Sequence, residues 1–209
     1  QGGRIMILMV NCSYKGAAAN TRYFLQILEK EIKELSQEAS VMFDIKQILT
    51  GGYEEFEKEL LKADALVIGA PLYVDGLPAQ AVRLLEQLYE TCHDRFPKVP
   101  VYVVSNLGFY EPEQIRNLFD IVRNWCVKMD TVYGGGLAIG AGPMIRILQN
   151  MPLKTGLNKM IGTGFSRLAK AIAEKKDPKK RTLTWDGTHL NHRGNAIFAD
   201  VVLKGLERE

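Results

Sequence analysis

Three short segments of this chain carry residue types that could grip a charged, flat molecule. The first is Asn11-Cys12-Ser13-Tyr14-Lys15-Gly16-Ala17-Ala18-Ala19-Asn20. It offers backbone N–H groups, hydroxyls and one Lys, with little side-chain bulk in the way. The second is Ala70-Pro71-Leu72-Tyr73-Val74-Asp75-Gly76, and the third is Ser105-Asn106-Leu107-Gly108-Phe109-Tyr110. Both set apolar or aromatic surface beside backbone amides. That is the combination a planar ring needs: a face to stack on and hydrogen bonds at its edge.

These segments matter only if the fold brings them together. Ile5 to Val10 is an unbroken apolar run that leads straight into the first segment. Such a run, closed by a small polar loop, reads as a strand buried on both faces. Thr21 then opens an amphipathic helix with Phe24, Leu25, Ile27, Leu28, Ile32 and Leu35 on or near one face. Strand, small-residue loop and helix N-terminus together make an anion site, because the first-turn N–H groups and the helix dipole both favour a phosphate.

The same alternation continues along the chain. Val41 to Ile48 reads as strand two, and Thr50-Gly51-Gly52 breaks it before a short charged helix from Tyr53 to Lys62. Ala65 to Gly69 is strand three, followed by a helix from about Pro78 to Tyr89. Val99 to Val104 is strand four, Pro112 to Lys128 the next helix, and Thr131 to Ile139 strand five. Strands alternating with helices predict an α/β fold: a three-layer, doubly wound, five-stranded parallel sheet. In the order 2-1-3-4-5, strands one, three and four are neighbours. Ligands of open α/β sheets bind outside the carboxyl ends of the strands, where the strand order reverses. The three segments all sit at that edge.

The last third is less regular. Met144 to Asn150 reads as a short helix. Gly156 to Lys175 reads as a longer one, with Met160, Ile161, Phe165, Leu168, Ala169 and Ile172 as its apolar side. Leu183 to Asp186 reads as extended and Asn191 to Leu206 as a closing helix. The expectation is one domain over residues 1–209, with 143–209 a helical C-terminal extension packed on it.

Bulk properties exclude several classes. At 209 residues the chain can bury a large core, and 46% hydrophobic and 24% charged residues are ordinary for a globular protein. No apolar run approaches the roughly 20 residues of a membrane helix, so membrane insertion is not expected. A net charge of +3 gives no reason to expect nucleic acid as a partner. Cys12, Cys92 and Cys126 are widely spaced without a CxxC pair, so no metal site is encoded by them. Their odd number and the lack of a leader suggest a cytoplasmic protein.

The constellation resembles the flavodoxin-like NAD(P)H-dependent FMN reductases and quinone reductases. The residues that carry the likeness are Ser13-Tyr14-Lys15 with Asn20-Thr21-Arg22, then Gly69-Ala70-Pro71-Leu72-Tyr73, then Asn106-Leu107-Gly108. The resemblance implies FMN as cofactor and NAD(P)H as co-substrate. The FMN phosphate would sit on the amides of Lys15 to Thr21, including Asn20, and on the hydroxyls of Ser13 and Thr21. Lys15 or Arg22 would supply positive charge. Pro71, Leu72, Tyr73, Val74 and Asp75, with Asn106, Leu107, Gly108 and Phe109, would hold the isoalloxazine. No catalytic side chain is required, since the hydride chemistry belongs to the cofactor. The resemblance also implies a small-molecule electron acceptor, such as a quinone, azo, nitro or flavin compound, and a homodimer. Two other readings stand beside it: a flavodoxin-type electron carrier, and a non-enzymatic FMN- or nucleotide-binding module.

Plainer roles are open for several of these residues. Asp75 reads equally as an N-cap for the helix that follows. Tyr73 and Phe109 could cap the core. Cys12 reads as a small buried hydrophobe. Gly134, Gly135 and Gly136 inside strand five suggest a bulge or a close backbone approach. Asp186-Gly187-Thr188-His189-Leu190-Asn191-His192 invites a metal reading but lacks a third ligand, so turn chemistry is expected there. Lys175, Lys176, Lys179, Lys180 and Arg181 read as a solvated basic loop.

Overall fold

A computed structural model describes residues 5–36, 39–109, 111–147 and 159–174. The first strand, β1 (Met6–Asn11), is apolar because both of its faces are covered. Leu8 and Val10 face one core; Ile7 and Met9 face the other. β1 pairs in parallel with β2 (Ala39–Asp44) on one side and β3 (Ala65–Pro71) on the other. β4 (Pro100–Asn106) follows β3, and β5 (Val132–Ile139) closes the sheet. The order is β2-β1-β3-β4-β5, all parallel, as the alternation predicts.

Helices cover both faces. α1 (Asn20–Ser36) presents Phe24, Leu25, Ile27, Leu28 and Ile32 to one face, while Leu35 lies exposed rather than in the stripe. The opposite face carries α2 (Tyr53–Leu60), α3 (Ala79–Cys92) and α4 (Arg116–Lys128), the last entered through a 3-10 turn at Pro112–Ile115. After β5 come α5 (Gly142–Ile147) and α6 (Lys159–Ala173). α6 lies in the same layer as α1. Ile161, Phe165, Leu168, Ala169 and Ile172 are buried there, and the Phe24 and Phe165 rings stack 6.2 Å apart.

Two sequence expectations need correction. Strand two ends at Asp44, not at residue 48; Ile45–Gln47 is a helical turn. Ile45 and Ile48 are both buried, and their three-residue spacing is that of a helix face; only Ile45 continues the alternation of Val41 and Phe43. The chain then breaks at Gly51, whose φ of +115° suits glycine. Second, Asp75 is not a helix cap: Pro78 holds that position before α3.

The glycine run in β5 has a packing cause. Between Val101 and Tyr102 the β4–β5 register shifts, so Gly134 is the extra residue of a bulge. A Cβ at Gly134 would come within 2.6 Å of the Tyr102 ring, and one at Gly136 within 2.9 Å of the Phe119 ring. Both large rings are buried against bare backbone. The segments 175–181, 183–186, 186–192 and 191–206 lie outside the described residues.

Candidate functional site

The three loops meet at the carboxyl edge of the sheet. Asn11 of β1 pairs with Gly69 of β3, and Pro71 of β3 pairs with Asn106 of β4. Ser13, two residues past Asn11, therefore leaves the sheet beside Pro71. Hydrogen bonds carry the contact past the strand ends. The Cys12 N–H donates to Gly69 O at 2.7 Å, and the Leu72 N–H donates to Asn106 O at 2.8 Å.

The first loop is shaped by Asn11. Its Oδ1 accepts from the Ser13 N–H at 3.2 Å, and its Nδ2 donates to Gly16 O at 3.1 Å. Gly16 takes φ +55°, and Gly16–Ala18 forms one 3-10 turn before α1. Ser13 and Thr21 are buried, Asn20 is half-buried and Lys15 is exposed. The Thr21 hydroxyl donates to Asn106 Oδ1 at 2.7 Å, which ties the start of α1 to the end of β4. Arg22 is paired beside the loop: its Nη1 donates to Asp44 Oδ2 at 2.6 Å, and Asn11 Nδ2 donates to Asp44 Oδ1 at 2.7 Å. The Arg22 charge is thus balanced locally.

The second loop is a tight hairpin. Tyr73 and Gly76 exchange backbone hydrogen bonds, 3.1 Å and 3.0 Å. Val74 and Asp75 between them take φ of +47° and +57°. Two consecutive left-handed residues define a type I′ turn, which normally recruits Asn, Asp or Gly. A valine there is strained, and its side chain is fully exposed. Leu72 is half-buried and Pro71 buried, so only Tyr73, Val74 and Asp75 project from this loop.

In the third loop Asn106 and Leu107 are buried, while Gly108 and Phe109 are exposed. The Leu107 N–H donates to Ile139 O, and Gly142 and Ala141 N–H groups donate to Leu107 O and Phe109 O. The chain after β5 thus braces this loop. A Cβ at Gly142 would lie 3.2 Å from Asn106 Nδ2, so the brace sits directly against the asparagine. Tyr14, Tyr73, Val74 and Phe109, drawn from all three loops, are exposed apolar side chains.

Sequence reasoning missed one participant. Arg146 of α5 reaches across to the first loop, where its Nη1 donates to Ala18 O at 2.6 Å and to Asn20 Oδ1 at 3.2 Å. Its positive charge also lowers the Tyr23 phenol pKa, against a larger upward push from burial. A lone arginine 126 positions from Asn20 leaves no periodic mark in the sequence.

Comparison with known proteins bears on this geometry. No family model and no curated protein matches the sequence. Solved structures do match. An oxidoreductase from Corynebacterium diphtheriae superposes with TM-score 0.65 at 12% identity, covering 82% of this chain and 96% of its own. A flavodoxin from Streptococcus pneumonia TIGR4 gives 0.57 at 15%, covering 82% and 99%. The fold is flavodoxin-like. An azoreductase from Bacillus anthracis shares the flavodoxin-like architecture more loosely, with TM-score 0.53 at 15% identity and coverage of 81% and 99%.

The site's residues suit a flat, phosphorylated molecule. In the first loop the Gly16, Ala18 and Ala19 N–H groups donate to Ser13 O, Lys15 O and Gly16 O, and the first turn of α1 adds N–H groups of the kind that suit an anion. The exposed Tyr14, Tyr73 and Phe109 supply ring faces. Among the described residues no helix is long and apolar enough to cross a membrane.

Proposed function

We propose that this protein is an FMN-dependent oxidoreductase that takes hydride from NAD(P)H and delivers it to a small acceptor such as a quinone, azo, nitro or flavin compound. The observation that carries this reading is the convergence of the Ser13, Pro71 and Asn106 loops at one sheet edge, with phosphate-type donors at one end and aromatic side chains at the other. Bound FMN supplies the hydride chemistry. The chain's own residues bind and orient. The main-chain N–H groups of Lys15, Ala17, Asn20 and Thr21 hold the phosphate, those of Gly16, Ala18 and Ala19 being spent on Ser13 O, Lys15 O and Gly16 O. Tyr73 and Phe109 offer stacking surface, and the N–H groups of these two loops not already spent within the protein are left for the ring edge, those of Leu72, Tyr73, Gly76 and Leu107 being bonded to Asn106 O, Gly76 O, Tyr73 O and Ile139 O. Exposed apolar residues around the site leave room for a flat acceptor.

A homodimer belongs to the same reading, as does a reducing, cytoplasmic setting. Cys12, Cys92 and Cys126 are all buried free thiols, which agrees with the latter. A flavodoxin-type electron carrier is the second reading, favoured by the likeness to the streptococcal flavodoxin.

The deciding experiment is anaerobic titration of the FMN-loaded protein with NADH and with NADPH. Loss of the flavin's visible absorbance with either one supports the oxidoreductase. Loaded protein that bleaches only with dithionite supports the carrier. A chain that binds no FMN at all sinks both.

A further inference from the structure

The polarity of the first loop presents a problem that one residue solves. A phosphate monoester carries close to two negative charges near neutral pH, and both cations within the loop segment are poorly placed to meet them. Arg22 is held by Asp44 at 2.6 Å. Lys15 projects into solvent. Arg146 comes from far along the chain, after β5, yet its guanidinium is fixed on the loop by Ala18 O and Asn20 Oδ1. Asn20 is the first residue of α1. The start of a helix is its positive end, so an arginine there is set against a charge of its own sign. Cations ordinarily gather at the other end of a helix. Both of its acceptors, Ala18 O and Asn20 Oδ1, are neutral, so among the described residues no carboxylate balances this charge, and an anion at the helix start would meet it.

The remaining chemistry agrees. Both contacts use Nη1, and a guanidinium carries five N–H donors in a fixed fork that matches phosphate oxygens two at a time. α5 is itself anchored on the third loop: Gly142, its first residue, donates to Leu107 O at 2.8 Å. The arginine is therefore carried on a short helix tied to the same site.

We infer that Arg146 is the phosphate-binding cation of this site, selecting the phosphorylated flavin over its unphosphorylated form. This rests on the flavin reading above and adds to it a specific residue from outside the three loops.

The test is binding, not turnover. Dissociation constants of FMN and riboflavin are measured by flavin fluorescence for the wild-type chain, Arg146→Gln and Arg146→Lys. Arg146→Gln is expected to weaken FMN at least tenfold and to change riboflavin less than twofold. Arg146→Lys keeps the charge but not the fork, so it weakens FMN by a smaller factor, again without touching riboflavin. If Arg146→Gln does not fold, Arg146→Lys carries the comparison alone. Unchanged FMN affinity in the folded variants overturns the assignment. So does an equal loss for both flavins, which would mark Arg146 as a structural brace. If the wild-type chain binds neither flavin, it is the flavin reading that fails, and the assignment falls with it.

Discussion

The Thr21 hydroxyl donates a 2.7 Å hydrogen bond to the Asn106 side-chain oxygen, and both residues are buried. The bond spans two loops that are 85 positions apart in sequence. It locks the opening turn of α1 against the end of β4. Thr21→Val keeps the shape and removes the donor, so Asn106 Oδ1 is left buried without it. The expected cost is about 1–3 kcal/mol of unfolding free energy, read by urea denaturation. Asn106→Ala should cost little more when Val already stands at position 21. Full additivity of the two changes would mean that the bond does not couple the loops.

Val74 offers the opposite sign. It is a β-branched residue at φ +47°, and its side chain contributes no burial in return. Val74→Asn places a residue suited to the left-handed region at the first turn position. A gain of about 1 kcal/mol is expected, seen as a higher denaturation midpoint with an unchanged m-value. A loss would show that the hairpin geometry differs from a type I′ turn.

Gly134 tests the bulge in β5. Its added Cβ would lie 2.6 Å from the Tyr102 ring, and that ring is itself fixed by a hydrogen bond from its hydroxyl to Ala171 O at 3.2 Å. Gly134→Ala should destabilise by about 1–3 kcal/mol through overpacking. Tyr102→Leu should recover part of that loss in the double variant, although Tyr102→Leu alone is harmful. The measurement is a double-mutant cycle from chemical denaturation.

The buried thiols set a basic limit on stability. Burial raises the Cys12 and Cys126 pKa values from 9.0 to about 12. In the unfolded chain these thiols ionise near 9, while the fold keeps them protonated. Above pH 9 the unfolded state thus binds fewer protons, and folding stability falls as pH rises toward 12. The Tyr102 phenol, also pushed up to about 12 by burial, works in the same direction. The denaturation midpoint should hold up to about pH 9 and then decline. Ellman's reagent at pH 8 should find three thiols after denaturant is added and essentially none in the native protein.

Much of this was legible in the residues. The β1 run and the loops at Ser13, Pro71 and Asn106 could be placed at one edge because parallel strands of known order leave no other arrangement. The glycines of β5 announced a close approach, though not that Tyr102 and Phe119 make it. Other features left no local trace. The strand-two reading runs too far because Ile45 continues the alternation of Val41 and Phe43 while serving a helical turn. The Arg22–Asp44 pair and the reach of Arg146 to Ala18 depend on which elements become neighbours in space. Periodicity reports a face. It does not report which partner the face meets.

The stacking of Phe24 on Phe165 has a practical corollary for anyone trimming the gene. A fragment cut after the fifth strand would retain every loop of the binding edge and still fail as a reagent. Its α1 would shed the helix that shields Phe24, Leu28 and Ile32, leaving a greasy flank open to self-association. Expression boundaries should therefore keep the whole of α6, through Ala173.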